Sequence, residues 1–355
     1  MALVIPFKAV RPKKEFAREV ASFPYDVLDR EEGRAIIRDN PLNFLRVEKS
    51  EIDVPNEIRD DDPRVFARAR ENLQNFMKDG VLFQEDRPCF YIYRQKDARR
   101  EQYGLVGCVS VGEYDQGLIK RHELTRVDKE NERVSHIDTT GAQTGLVFLL
   151  YRSRAEIDRI VSAITRGEPE YDFTTSDGVS HTAWVVGDSG TVEALQREFS
   201  NVECLYIADG HHRAASASTV ARMRRGRNPA HTGTEEYNRF VATLFPHEQL
   251  KILDYNRAVK DLQGMTAAAF MERVGEKFTL SAGFTERSPS RSHQFGMYVG
   301  GTWYRLDARP EIYEKADLIG KLDVSILQDH LLGPILGIRD PRTDERIKFI
   351  GGIRG

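Results

Sequence analysis

A chain of 355 residues has the length of about two ordinary domains. Its 40% hydrophobic and 30% charged residues suit a globular protein with a sizeable core, and a net charge of −3 makes no electrostatic case for nucleic acid or an anionic membrane. The longest apolar run, Gly145 to Tyr151, is too short to span a bilayer. The N-terminus shows no signal-peptide pattern, and Cys89, Cys108 and Cys204 form no Cys-x-x-Cys pair, so buried free thiols in a reducing, cytoplasmic setting are expected.

Residues 1–60 carry Pro6, Pro12, Pro24, Pro41 and Pro55 and read as an extended arm with little regular structure. Within it, Pro24-Tyr25-Asp26-Val27 and Asn40-Pro41-Leu42-Asn43-Phe44-Leu45 are turn segments with aromatics fit for burial, and Glu31 to Asp39 is a short helix. Asp61-Asp62-Pro63 opens a long helix whose apolar stripe runs from Val65 to Met77 before Gly80 ends it. Cys89 to Tyr93 and Tyr103 to Val111 are strands of a hairpin. Beyond Gly112 and Gly117 comes a cluster of ionisable residues, with Glu113 before it and Lys120, Arg121, His122 and Glu123 within it. It reads equally as chemistry or as a solvated charged face.

Arg126 to Asp138 alternates charges and reads as an exposed helix or loop. Thr140 and Gln143 lie in a small polar stretch before the strand Leu146 to Tyr151, where hydroxyl and amide groups could meet a phosphate or serve a plain turn. Helices over Ala155 to Ile164 and Thr191 to Phe199 flank a hairpin turned by Asp177-Gly178. His181, on that hairpin, reads as structural. In the last third, Phe240 to Phe245 and Lys251 to Leu253 are strands, and Thr266 to Phe278 is a helix. Gly300-Gly301 turns another hairpin, and Asp323 to Ile338 is a helix with Val324, Leu327, Leu331 and Leu332 on one face.

The stretch Cys204 to Ala217 organises the rest. An apolar run stops at Asp209-Gly210, His211, His212 and Arg213 follow without a gap, and an Ala-rich segment continues to Arg225. This is strand, tight turn, helix. Gly210 permits a positive φ, and the helix start already attracts anions through its unsatisfied N–H groups and dipole. A guanidinium and two imidazoles added there make a phosphate cradle. It is not a Walker loop, because no Gly-rich spacer or Gly-Lys-Ser/Thr follows. The neighbouring Arg222 to Arg227 cluster reads as a solvated helix end.

The Asp-Gly-His-x-Arg unit between strand and helix resembles the ParB/sulfiredoxin-like superfamily, which includes free L-serine kinases. The whole chain looks like a microbial family of unknown function sometimes labelled ParB-like. The matching pieces are Pro6-Phe7, Pro24 to Val27, Tyr114 to Gly117, Lys120 to Glu123, Gly141-Ala142-Gln143, the central loop and Leu322 to Gly355. The resemblance implies an α/β (mixed α+β) fold with mixed sheets, hairpins and flanking helices. We expect an arm at 1–60, a core at 61–255 with its nucleotide loop at 208–214, and a smaller part at 256–355. It also implies residues beyond Gly355. Redox chemistry of the sulfiredoxin kind needs a loop cysteine, and His211 stands in that place.

The implied function is nucleotide-dependent phosphoryl transfer to a small hydroxyl metabolite, with free serine as the model acceptor. Arg213, Gly210, Lys120, Arg121, His122, Thr140 and Gln143 would bind phosphate, and His211 and His212 would orient it. Glu123, with Glu113 second, would be the general base. Asp209 would hold the loop or a Mg²⁺ ion accompanying ATP or ADP. Phosphoester hydrolysis is a variant, a nucleotide-binding regulatory module without turnover is the alternative, and a metal hydrolase built on the three histidines comes third.

Overall fold

The computed structural model describes residues 2–122, 125, 127–341 and 343–351. The protein is mixed α+β and divides into two compact units, Met1–Leu250 and Lys251–Gly355. Residues 1–60 lie within the first unit.

The first unit is built on a nine-stranded mixed sheet. Its order runs Ile119–Lys120, Leu205–Asp209, Val147–Tyr151, Arg239–Pro246, Glu101–Ser110, Phe90–Lys96, Ser180–Val186 and Tyr171–Thr174, with Val4–Ile5 paired to the end of Glu101–Ser110. Two neighbouring pairs are parallel, Leu205–Asp209 with Ile119–Lys120 and Arg239–Pro246 with Val147–Tyr151. Alternating residues such as Phe90, Ile92, Leu149 and Leu205 enter one core with Ile157 and Phe199 from the helices Ala155–Ile164 and Ser189–Ser200. Each such side chain contributes about 1.5–3 kcal/mol by leaving water.

Local signals act where the sequence places them. Asp29 and Glu32 form a capping box at the start of helix Arg30–Asp39. Asp62 caps helix Pro63–Lys78, which buries Val65, Phe66, Ala69 and Phe76. The second unit combines a ribbon of Tyr255–Val259 with Ile347–Gly351, a three-stranded sheet and the helix Ala267–Gly275. Gly300 and Gly301 turn its hairpin at φ 58° and 82°.

Four expectations change. Gly112 and Glu113 belong to a short helix, Val111–Asp115, because Ser110 Oγ accepts from Glu113 N–H and nucleates it. The charge-alternating segment is the helix Val127–Thr140, and it is not simply exposed: Arg133, Val134 and His136 are buried against its neighbours. Lys251–Leu253 forms no strand, and Ile252 is 97% exposed at the start of the second unit. The long last helix is only Asp323–Leu327, continued by a π turn, Gln328–Leu332, with Val324 exposed while Leu331 and Leu332 are buried. Among the described residues no helix is long and apolar enough to cross a membrane. All three cysteines are unpaired, Cys89 and Cys108 buried and Cys204 half-buried, and burial pushes the Cys108 thiol up to about 12.

Candidate functional site

Strand Leu205–Asp209 buries Leu205 and Ile207 and releases Asp209 at its exposed end. Its pairing with Val147–Tyr151 shifts register between Ile207 and Asp209, a bulge that re-aims the carboxylate. Gly210 then takes φ 93°, ψ 30°, and a Cβ there would lie 3.1 Å from Arg213 Nε, so both backbone and space call for glycine. Helix His211–Arg227 follows. It buries Ala214, Ala215, Ser216, Ala217, Ser218 and Ala221, small residues that let it wedge between the sheet and helix Val127–Thr140. Ser216 and Thr219 donate to Glu130 O and Oε1 at 3.1 and 3.0 Å and tie the two helices together.

Gly210, the N-cap, has no side chain to cap this helix, and the first-turn N–H groups are donors the helix itself cannot satisfy. Arg213 folds back over Gly210. Its guanidinium donates to the Asp209 carboxylate and to the Leu146 carbonyl. The Arg213 side chain is 22% exposed and that of Asp209 65% exposed.

Behind Arg213 lies a cavity of about 20 Å³, walled by Glu48, Arg133, His136, Gln143, Thr144 and Gly145 among others. That is room for about one water-sized group. Gly145 separates the two charges across it: a Cβ added there would stand 3.1 Å from Arg213 Cδ and 3.7 and 3.8 Å from the Glu48 oxygens.

Glu48 is the notable wall. It closes the short helix Leu45–Glu48, in which Leu45 and Val47 are fully buried and carry the carboxylate inward with them. Glu48 Oε2 accepts from Arg133 Nη1 at 3.4 Å, while Oε1 is buried and has no hydrogen-bond partner among the described residues. Such an oxygen costs free energy and marks a place where a donor is wanted.

Arg133 is equally buried and lies 4.3 Å over the ring of Tyr25. Burial works against its charge, but Tyr25, Glu48 and Glu132 outweigh that and raise its pKa. Burial raises the Tyr25 phenol, against the pull of Arg133. One turn along the helix, burial and the Arg133 charge lower the His136 imidazole, leaving it neutral. Its Nε2–H donates to Val47 O at 2.9 Å and fixes the peptide that aims Glu48.

The other expected residues divide. His211 is buried, its ring edge-on to His122 at 4.5 Å, and its Nε2 accepts from His122 N–H at 3.5 Å. It therefore ties the loop to the exposed His122 segment instead of presenting its ring outward. His212 is half-buried on the same turn. Arg121 lies over the Tyr114 ring at 5.3 Å, and Lys120 is exposed on its strand.

Three expected roles are taken up elsewhere. The Gln143 amide is spent on the sheet, Nε2 donating to Arg239 O at 2.8 Å and Oε1 accepting from Val241 N at 3.0 Å. Thr140 Oγ1 donates to His136 O at 2.7 Å and closes its own helix. The Glu113 carboxylate accepts from Leu3 N–H at 3.0 Å and does not line the cavity. Glu123 lies outside the described residues. Among those residues no group of three or more His, Cys, Asp or Glu could hold a metal ion, Asp209 included.

Residues 4–325 match the family described as protein of unknown function (DUF1015). The chain belongs to this family. Comparison with curated proteins and with solved structures finds no match. The matched DUF1015 span holds the loop, Glu48 and helix Val127–Thr140 together.

Proposed function

We propose that this chain is a nucleotide-dependent phosphotransferase acting on a small hydroxyl compound, with free serine as the model acceptor, on a ParB/sulfiredoxin-like core. The observation that carries the reading is the one-oxygen-sized cavity with Arg213 on one side and, on the other, a Glu48 Oε1 that has no partner among the described residues. A module that only binds nucleotide needs Glu48 to neutralise Arg133 but needs no free carboxylate oxygen facing the cavity.

In this reading Arg213 and the first-turn amides of helix His211–Arg227 bind phosphate oxygens, and Asp209 holds the guanidinium until they arrive. The acceptor hydroxyl enters the cavity and donates to Glu48 Oε1, which takes its proton as general base. Glu48 takes the role expected of Glu113, whose carboxylate is held by Leu3 N–H, while Glu123 lies outside the described residues. Arg133 supplies the countercharge, and His136 holds the backbone that positions the base. Bound ATP or ADP would supply the phosphoryl group. Mg²⁺ would be held by those phosphates, with Asp209 as a protein ligand.

The test is to incubate the protein with ATP or ADP and a panel of amino acids and other small alcohols, and to look for the phosphorylated acceptor. Glu48→Gln is expected to lower turnover by about 10²–10⁴ while nucleotide still binds. Arg213→Ala is expected to weaken nucleotide binding by about 1.5–3 kcal/mol. Clear binding with no turnover across the panel would favour the regulatory module, and no nucleotide binding at all would remove both readings.

A further inference from the structure

The second unit carries a cleft that the phosphate reading does not use. In the ribbon of Tyr255–Val259 and Ile347–Gly351, Arg257 stands opposite Phe349 and Val259 opposite Ile347. Alternation puts Tyr255, Arg257 and Val259 on one face. At one end of that face Val259 and Ile347 join the second unit's core. At the other, Arg257 lies over the rings of Tyr255 and Phe349 at 5.1 and 5.4 Å, and those rings stack on each other at 5.3 Å. Across the cleft, Val324, Gln328 and Leu332 recur every fourth residue along the helix Asp323–Leu327 and its π turn. The space between is about 300 Å³, at the lower end of small-molecule pockets, which run about 300–1,000 Å³.

Arg257 is what gives this cleft a chemistry. It is half-buried, yet among the described residues no carboxylate pairs with it; its guanidinium donates to the Tyr255 carbonyl. Arg346 in the same unit, by contrast, is paired with Asp344 and Asp261. Burial lowers the Arg257 pKa against the pull of Tyr255, and with no carboxylate paired to it among the described residues an anion would stabilise it. The two stacked rings lie to one side of the guanidinium, and the Tyr255 carbonyl takes only one of its N–H groups, so the rest can donate to a carboxylate. Asp329 on the rim would repel a second negative charge, which disfavours dicarboxylates and phosphates. Val324, Leu332 and Phe349 offer an apolar wall.

We propose that this cleft binds a small monocarboxylic acid with an apolar body, its carboxylate on Arg257 and its hydrocarbon against Val324, Leu332 and Phe349. The proposal is independent of the loop chemistry in the first unit.

The full chain is to be titrated calorimetrically with phenylacetate, with its neutral isostere phenylacetamide, and with the dianion homophthalate. Phenylacetate should bind, with the amide and homophthalate each weaker by about tenfold or more. Arg257→Gln should bring phenylacetate down to the level of the amide, and Val324→Trp, which fills the opposite wall, should block both. Equal affinity for acid and amide, acid binding that survives Arg257→Gln, or no heat from phenylacetate at millimolar concentration would each overturn the site. Melting curves check that the variants fold. Should Arg257→Gln fail to fold, Val324→Trp together with the acid-to-amide ratio in the unaltered chain decides the outcome.

Discussion

The two ends of the cavity beside the loop use the same interaction in opposite ways. At the inner end Arg133 and Glu48 each keep 9% of their side chains exposed; at the outer end Arg213 and Asp209 keep 22% and 65%. Outside, water screens the pair and makes it cheap to exchange, so Arg213 can leave Asp209 for a ligand oxygen. Inside, neither charge can leave. Desolvation makes each dependent on the other, and among the described residues the leftover Glu48 Oε1 finds no partner beside the cavity. A fixed, buried base beside an exchangeable, half-exposed cation is the division of labour that transfer of a charged group asks for.

Substitution can break this contrast. Arg133→Met should be the most damaging change, because it strands Glu48 in the interior. A stability loss of about 3–5 kcal/mol is expected from urea unfolding, against about 0–1 kcal/mol for Arg213→Ala. Similar losses for the two would mean that the inner pair is hydrated after all. Next in size is Gly145→Ala. Its new Cβ would sit 3.1 Å from Arg213 Cδ, closer than ordinary contact, and would narrow the one-oxygen space. Overpacking of this kind costs about 1–3 kcal/mol. In the proposed reaction it should impair use of the acceptor more than binding of nucleotide, and equal loss of both would place the acceptor elsewhere.

The smallest effect is a pH slope. The folded-state pKa of His136 is lowered, so below its ordinary value of about 6.5 the unfolded chain takes up a proton that the folded chain refuses. Stability from this group is present above that pH and is lost as pH falls toward the folded value. His136→Gln, which keeps an amide donor for Val47 O, should flatten the melting-temperature slope on acidification. An unchanged slope would show that His136 is not the group responsible.

Much of the outer site was legible in the sequence. Asp209, Gly210 and Arg213 fall within five consecutive residues, and the apolar run before them and the Ala-rich run after them specify strand and helix by local preference alone. Their geometry follows from three neighbouring residues and a positive φ. Caps such as Asp29, Asp62 and Thr266 act over the same short range and are equally readable. The inner site was not. In Leu45-Arg46-Val47-Glu48-Lys49 the carboxylate looks like one of several solvated charges, and in Val127–Thr140 the alternating signs hide Arg133 and His136 among exposed neighbours. One signal was available: Arg133 and His136 are three apart and share a helical face with Ile137.

The order of residues alone thus determined the elements, the turn at Gly210 and the cation that follows it, because those depend on backbone preference within a few residues. Only the tertiary structure decided which charges are buried and what they meet. Glu48, Arg133 and Arg213 are distant along the chain, and the packing of helix Val127–Thr140 against helix His211–Arg227 and the Leu45–Glu48 segment brings them to one cavity. Burial is a property of that packing, and it turns an ordinary glutamate into an oxygen in need of a partner.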